Sequence, residues 1–188
     1  MWAERRRRRY GRKKLWQKCV AFHGHECGGL MTGFKAAQYA AELLALGRSP
    51  DEETVCISEN DACGVDAIQV VLGCTVGKGN LLFHLTGKQA YTFYERASGR
   101  GVRIAARPKP EGLKKGGTLE YMRPLAPSEL FYAMAPELGL PERARLFGSA
   151  ECSVCGEIAA EAFMYIEGGK PVCRDCRKAY SRVSVGST

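Results

Sequence analysis

The chain contains two stretches in which apolar residues recur at helical spacing. In the longer one, Leu30, Phe34 and Leu44 belong to a series of apolar positions three or four residues apart, which predicts a helix over 30–46 that Gly47 ends. A shorter series predicts a second helix over 65–72. A weaker pattern over 15–22 leads into a histidine-rich segment. The first half of the chain is therefore expected to be largely helical around that segment.

Short β-type runs predict strands between and after these helices. The predicted strands cover residues 54–58, 81–85, 91–95 and 102–106, with a glycine-containing turn between the last two. Pro127 predicts the start of a further helix, which runs through Ser128 to Met134. Because helices and strands mix without a strict βαβ alternation, the expected fold class is α+β, a mixed helix and sheet core domain followed by a small four-cysteine zinc-ribbon module.

Composition places the chain among globular proteins. A hydrophobic content of 45% is ordinary for this class, and no apolar run approaches the roughly 18 residues that a membrane span needs. The N-terminus also lacks the apolar block of a secretory signal. We therefore expect a cytoplasmic protein with no membrane partner.

The net charge of +8 is concentrated near the N-terminus. Residues 5–14 contain six Arg, two Lys and no acid, and outside them 20 basic residues balance 20 acidic ones. A neutral body offers no broad surface for DNA or RNA, so nucleic acid is an unlikely partner. We interpret the basic run as a solvated leader, with phosphate binding as the alternative. The predicted organisation is a basic leader over 1–15, an α+β core over 16–135, a linker over 136–149 and a zinc ribbon over 150–180.

Two CxxC pairs lie near the C-terminus, with 17 residues between them. Nine cysteines cannot all pair, and in a cytosolic chain cysteines are more often metal ligands or reactive thiols than disulfides. A spaced doublet of CxxC pairs favours a four-cysteine zinc site over a redox motif. Four thiolates leave no open position on Zn²⁺, so this zinc is expected to be structural. Its predicted ligands are Cys152, Cys155, Cys173 and Cys176.

The segment 22–29 holds two of the three histidines and one cysteine. An extended backbone would turn His23, His25 and Cys27 to one side, whereas a helix would bring together only His23 and Cys27. Cys27 precedes the first long helix and Cys63 precedes the second. If the two helix starts converge, these four side chains form a nitrogen and sulfur site for Zn²⁺ or another soft or borderline metal.

The position of the two thiols also has an electrostatic consequence. A thiol at a helix N-terminus is expected to have a lowered pKa, because free N–H groups and the helix dipole favour the thiolate. We assign His23, Asp61 and Cys63 as catalytic candidates and His25, Cys27 and Cys63 as metal candidates, for a second metal in the core cavity. Asp61 would act as a helix cap, a partner of a histidine or a proton acceptor.

Other cysteines, histidines and glycines receive structural interpretations. Cys19, Cys56 and Cys74 are expected to be small buried apolar residues, and His84 a packed histidine. The turn 73–80 lacks the spacing and the Ser or Thr of a phosphate loop. The alternative is that backbone N–H groups and Lys78 bind an anion at this turn.

Four blocks of the chain resemble the E-subunit family of formylmethanofuran dehydrogenase: FHGHxC over 22–27, ENDACGVDAIQ over 59–69, GCTxGKGN over 73–80 and GKQAYTFY over 87–94. The resemblance implies an α+β core that forms homodimers, a cavity of His, Cys and Asp, and a zinc ribbon. The family name comes from association with the molybdenum or tungsten enzyme that reduces CO₂ onto methanofuran.

The residues and the resemblance together leave two main functions. The first is a metal- and thiol-dependent protein of redox or one-carbon metabolism, with a His, Cys and Asp cavity and an association with an oxidoreductase of the formylmethanofuran dehydrogenase type. The second is a non-catalytic adaptor or assembly module whose zinc ribbon docks a partner enzyme. Nucleic-acid binding through the ribbon and leader is the least favoured interpretation, because the body of the chain is neutral.

Overall fold

A computed structural model describes residues 2–114, 116–178, 180 and 182, excluding the side chains of residues 2–10 and 12. The helices and strands fall into two units, Met1–Ala144 and Arg145–Thr188. The solvated state predicted for the arginines of 5–9 concerns side chains that lie outside the described part of the structure. The predicted domain boundaries stay predictions.

The two long predicted helices are confirmed to within a few residues. The helices of the first unit are α1 (Trp2–His23), α2 (Gly28–Leu44), α3 (Gly64–Leu72), α4 (Thr118–Met122) and α5 (Pro127–Leu130). α2 ends earlier than predicted, since Ala45 takes the left-handed conformation with φ 56° and its N–H bonds the Ala41 carbonyl. The helix therefore stops without the glycine that sequence reasoning chose.

Five strands of the first unit form one sheet in the order β2-β1-β3-β4-β5. Their bounds are β1 (Thr54–Ser58), β2 (Leu81–Phe83), β3 (Ala90–Glu95), β4 (Gly101–Ala106) and β5 (Phe131–Met134). β1 and β2, which flank α3 in the chain, are parallel, and all other neighbours are antiparallel. The mixture confirms the α+β fold class. β2 is shorter than predicted, and His84 is exposed beyond its end rather than packed.

The helix predicted over 127–134 is wrong in its second half. α5 ends at Leu130, and the chain turns extended at Phe131, where φ is −132° and ψ is 151°. Residues 131–134 then pair with β4 as an edge strand. Their backbone groups gain sheet partners that lie about 30 residues away in sequence, which no local pattern reveals.

α2 and α3 cover one face of this sheet. Leu30 and Ile68 from the helices pack in one buried cluster with Phe93 and Ile104 from the strands. On the opposite face, Val55, Ile57 and Tyr94 form a smaller cluster that Leu138 partly covers. The Tyr94 hydroxyl donates to the Leu138 carbonyl. The segment after β5 thus closes the second face of the sheet.

α2 and α3 meet through glycines instead of side chains. A Cβ on Gly33 would overlap the carbonyl group of Gly64, and a Cβ on Gly64 would lie 2.5 Å from the Tyr91 hydroxyl oxygen. Such distances leave no room for any side chain, so the two backbones are in direct contact. This close approach sets the N-terminus of α3, and Cys63 with it, against the first turns of α2.

The turn 73–80 is held by hydrogen bonds within the protein. Lys78 Nζ donates to the carbonyls of Ser49, Pro50 and Asp51 at 2.9–3.3 Å. The buried Asn80 side chain donates to the Thr54 carbonyl and accepts from the Thr75 N–H. Lys78 and Asn80 therefore hold this turn against the chain around β1, and the ammonium group of Lys78 binds carbonyl groups of the protein itself.

The second unit contains two small hairpins and the two CxxC pairs. β6 (Ser149–Glu151) pairs with β7 (Ile158–Ala160), and β8 (Met164–Glu167) pairs with β9 (Lys170–Cys173). The β8–β9 hairpin lies between the CxxC pairs, with Gly168 and Gly169 at its turn in positive φ. Within the described residues, no helix is both long and apolar enough to cross a bilayer.

Candidate metal centre

The four C-terminal cysteines converge on one point. One ligand atom from each of Cys152, Cys155, Cys173 and Cys176 lies within 4.8 Å of the others. The Cys155 and Cys173 sulfurs are 4.0 Å apart. Four sulfurs bound to one Zn²⁺ at about 2.3 Å would lie about 3.8 Å apart, so the observed spacing fits a tetrahedral ion. The predicted four-cysteine cluster is confirmed, and it can hold a metal such as zinc.

The backbone around this cluster already favours a thiolate. Backbone N–H groups, that of Cys173 foremost, lower the pKa of the Cys152 thiol to about 6. The Cys173 N–H lies 3.3 Å from the Cys152 sulfur. Conversely, contact with the Cys173 sulfur raises the pKa of Cys176 to about 12. Thiols in contact with one another do not readily ionise together, because their negative charges repel. A metal ion bound between them offsets this repulsion.

A second group of ligand atoms lies at the junction of α1 and α2. His23 ends α1, Gly24 turns the chain with φ 94°, and Cys27 caps α2. Ligand atoms of His23, His25 and Cys27 lie within 4.8 Å of one another. The three side chains are thus brought together, but by a turn between two helices rather than by the extended backbone that was predicted.

His23 is oriented by a carboxylate that sequence reasoning did not select. Its Nδ1 lies 2.7 Å from Asp66 Oδ2, in the first turn of α3. Its Nε2 lies 3.8 Å from the Cys27 sulfur. One nitrogen and one sulfur on a tetrahedral zinc would be about 3.6 Å apart. A carboxylate on the second ring nitrogen is the usual support of a metal-binding histidine, so Asp66 fixes Nε2 toward the cluster.

Cys63 meets Cys27 across the contact between α2 and α3. A Cβ on Gly29 would lie 3.5 Å from the Cys63 sulfur and 3.8 Å from the Cys27 sulfur. Both thiols are half-buried, and each occupies the N-cap position of its helix. The two helix starts therefore converge, and the second thiol stands beside the group of His23, His25 and Cys27.

The lowered pKa expected for Cys63 is wrong. Burial, together with contact with the Cys27 thiol, raises the pKa of Cys63 above its usual value. The helix end does not compensate, because a neighbouring sulfur and the Asp66 carboxylate both disfavour a second negative charge. Cys27 instead accepts the Leu30 N–H at 3.2 Å. The pair is thus better suited to sharing a cation than to acting as two independent thiolates.

Asp61 lies apart from these contacts. Its side chain is exposed, and Cys63 rather than Asp61 occupies the N-cap position of α3, while the neighbouring Asn60 side chain accepts the Ala62 N–H at 3.2 Å. The catalytic role of Asp61 stays a prediction. A signal for Asp66 was present, since a residue three positions after Cys63 in a helix lies on the same face.

The remaining cysteines of the first unit have the structural role that was predicted. Cys19, Cys56 and Cys74 are fully buried. Burial raises the pKa of Cys19 to about 11 and that of Cys74 to about 12, and places that of Cys56 well above its usual value. These thiols stay protonated near neutral pH and serve as core residues.

Glu26 turns away from the cluster and secures its loop. Its carboxylate accepts from Trp16 Nε1 and from Arg123 Nη2, both at 2.9 Å. The Trp16 hydrogen bond, with help from Arg123, lowers the pKa of Glu26. The loop that carries His25 is therefore tied to α1 on one side and to the end of α4 on the other.

The model of the family described as "FmdE, Molybdenum formylmethanofuran dehydrogenase operon" matches residues 22–126. The match covers more than half of the chain and contains the histidine segment, Cys63 and Asp66. The chain therefore belongs to the FmdE family, and the resemblance found in the sequence is confirmed.

Two individual relatives extend this finding. The chain is 28% identical over 178 residues to a protein of Archaeoglobus fulgidus named "Probable S-adenosyl-L-methionine-binding protein", in a match that covers 78% of this chain and 49% of the relative. The chain thus spans about half the length of that relative. A crystal structure of a tungsten formylmethanofuran dehydrogenase FmdE-like protein from Syntrophus aciditrophicus has a TM-score of 0.66 and 24% identity, and the match covers 88% of this chain and 91% of that one. At that identity the likeness shows a shared fold.

Proposed function

We propose that this FmdE-family chain binds two metal ions with different tasks. One is a structural Zn²⁺ held by Cys152, Cys155, Cys173 and Cys176. The other is held in the core by His23, His25 and Cys27, with Cys63 beside them. The observation that carries the second site is the meeting of three ligand atoms within 4.8 Å, next to another thiol.

The donor atoms of the core site favour a soft or borderline metal. Two imidazoles and one or two thiols suit Zn²⁺ and related ions, and offer little to Mg²⁺. A metal bound there with three protein ligands would supply Lewis-acid chemistry at an open position. On the protein's side, Asp66 holds the His23 ring in one orientation as a ligand, and the half-buried Cys63 thiol beside the three ligands can accept or donate a proton.

A role in redox or one-carbon metabolism is the finer part of this proposal. Its support is the FmdE family membership together with a soft-ligand site that is only partly closed by protein. Homodimer formation, which the family resemblance implies, belongs to the same proposal.

Metal content per chain tests the two-site proposal. We expect elemental analysis of the purified full chain to give two metal ions per chain. Cys176→Ser should lose one of them, and His25→Ala should lose the other, because each change removes a ligand from a different cluster. His84→Ala is the matched control for His25→Ala, since both histidines are exposed and His84 lies outside both clusters. Equal metal content in wild type and His25→Ala would contradict the core site.

A second candidate function is an adaptor that docks a partner enzyme through the C-terminal unit. The observation that favours it is the exposed apolar surface there, where Ile158, Phe163 and Ile166 are 67%, 58% and 72% exposed. Isolated exposed apolar residues are common, but several in so small a unit are typical of an interaction surface.

Partner binding distinguishes the adaptor from the catalytic proposal. We expect a partner enzyme captured by the full chain to be lost from the double variant Phe163→Ser, Ile166→Ser, because the apolar contact is removed. The metal content should not change, since neither residue is a ligand. The control is Val76→Ser, an equally exposed apolar residue of the first unit. Capture that survives the double variant would argue against docking through this surface.

A further inference from the structure

A cavity of about 340 Å³ opens beside the core cluster. It lies between the first turn of α2, the chain that follows β4, and α4 with α5. Its floor is apolar and includes Ala106, Met122 and Leu130, while Arg107 and Lys109 lie on its rim. An apolar floor with a few polar groups at the edge is the usual form of a small-molecule site, and the volume is at the lower end of that class.

The rim carries an excess of positive charge. Arg107 is held in place, since its Nε donates to the Phe131 carbonyl at 3.2 Å and its guanidinium stacks 4.0 Å from the centre of the Tyr132 ring. Lys109 is exposed and makes one long contact, 3.4 Å, with the Thr118 hydroxyl. The acid of the rim, Glu129, already accepts the Ala126 N–H at 2.6 Å. The rim therefore carries two cationic side chains against one carboxylate, an excess of one positive charge.

Gly29 connects this cavity to the thiols. It lines the cavity, and a Cβ added to it would lie 3.1 Å from Cys63 Cβ and within 4 Å of both sulfurs. Any side chain at this position would fill the space between the cavity and the sulfur pair. With glycine there, a ligand in the cavity can approach Cys27 and Cys63.

We propose that this cavity binds a small organic anion, a carboxylate with an apolar body, whose charge is met by Lys109 and Arg107. The apolar body lies on the floor formed by Ala106, Met122 and Leu130. The binding itself depends only on the cavity. The presentation of the ligand to Cys27 and Cys63 rests on the proposed function of the core cluster.

Three probe molecules test the ligand class on the full-length protein. Phenylacetate has the charge and the apolar body, phenylacetamide has the same shape without the charge, and inorganic phosphate has charge without an apolar body. We expect phenylacetate to shift the amide signals of Gly28, Gly29 and Gly116 in nuclear magnetic resonance titrations, and each of the others to bind about tenfold more weakly or worse. Absence of shifts with phenylacetate, or equal binding of the amide, would overturn the proposal.

Substitutions of Lys109 and Arg107 test whether these rim residues supply the positive charge that binds the ligand. Lys109→Gln should weaken phenylacetate binding about tenfold, since it removes a charged contact, and Lys18→Gln on α1 should leave it unchanged. Arg107→Lys should bind more tightly than Arg107→Gln, because it retains the charge. Equal affinity in Lys109→Gln, Arg107→Gln and wild type would overturn the assignment of the rim.

Repeating the titration with the Cys27→Ser variant and with chelator present separates this proposal from the metal sites. Binding that persists without a core metal supports the cavity even if the core cluster proves metal-free. Binding that disappears only when the metal is removed would place the anion on the metal and overturn the cavity assignment.

Discussion

Replacing Gly33 with alanine should destabilise the first unit by about 3 kcal/mol or more, the upper range for overpacking a close-packed core. The added Cβ would overlap the Gly64 carbonyl group, which is backbone and cannot rotate away. α3 would have to move off α2, and Cys63 would move with it. Denaturant unfolding followed by the fluorescence of Trp16, which is buried against Phe34, measures the loss of stability.

The control is the same substitution at a helical glycine that has space around it. Gly11 in α1 has nothing within 4 Å of an added Cβ. Gly11→Ala should therefore stabilise or leave the protein unchanged, because alanine is favoured over glycine in a helix by about 1 kcal/mol. If Gly33→Ala were as well tolerated as Gly11→Ala, the close contact between α2 and α3 would be wrong.

A double variant separates backbone contact from side-chain contact. Gly64→Ala would press on the Tyr91 hydroxyl, which is fully buried and has no hydrogen-bond partner among the described residues. Burial raises the pKa of that hydroxyl to about 12. Tyr91→Phe should therefore partly rescue Gly64→Ala and should give no rescue of Gly33→Ala, whose obstacle is main chain.

Replacing Arg103 with methionine should cost about 3–5 kcal/mol, the range for removing one partner of a buried ion pair. Arg103 Nε and Nη2 donate to the two oxygens of Glu59 at 2.6 and 3.0 Å, and both side chains are buried. Among the described residues, the methionine would leave the buried Glu59 carboxylate with the Thr86 hydroxyl as its side-chain donor. Urea unfolding at pH 7 measures the loss.

The pH dependence of this pair follows from the direction of the pKa shift. The Arg103 hydrogen bond lowers the pKa of Glu59 in the folded protein. Its stabilising contribution is therefore complete above the unfolded pKa of about 4.3 and is lost as the pH falls through the folded value. Between pH 7 and pH 3 wild type should lose more stability than Arg103→Met, so the two unfolding free energies should converge.

The matched variant is the double change Glu59→Gln, Arg103→Met. Without a charge left unpaired in the core, it should be more stable than Arg103→Met alone. A buried charged pair at this place would be contradicted if Arg103→Met were as stable as wild type at pH 7. It would also be contradicted if the difference between their unfolding free energies stayed constant down to pH 3.

The two halves of the sheet show how far the sequence predicts this fold. α2, α3, β1, β3 and β4 each carry their own periodic pattern and lie where that pattern predicts. The helix prediction for residues 131–134 was wrong because these residues form a strand by pairing with the edge of β4, which lies about 30 positions earlier in the chain. Ala45 ended α2 in a left-handed conformation that favours glycine, so a search for glycine placed the helix end at Gly47.

The candidate site shows the same contrast between features set by local sequence and features set by contacts between distant residues. Ligand spacing alone predicted Cys152, Cys155, Cys173 and Cys176, because each CxxC pair is a local structure. The meeting of Cys27 with Cys63 depends on close packing of α2 against α3, which the glycines at 29, 33 and 64 permit. Periodicity alone does not show which glycines lie at a contact between helices. The raised pKa of Cys63 depends on its neighbours in space, so the helix-end rule could not give its sign.

The hydrogen bonds of Glu26 connect the histidine loop to the wall of the proposed anion cavity. Its carboxylate accepts from Arg123, directly after α4, the helix that lines this cavity. A displacement of α4 would be expected to reach the residue beside His25 through this ion pair, whose side chains are 51% and 44% exposed. If both proposed sites are correct, ligand binding in the cavity and the position of His25 should be weakly coupled, and Glu26→Gln should remove that coupling without changing a proposed metal ligand.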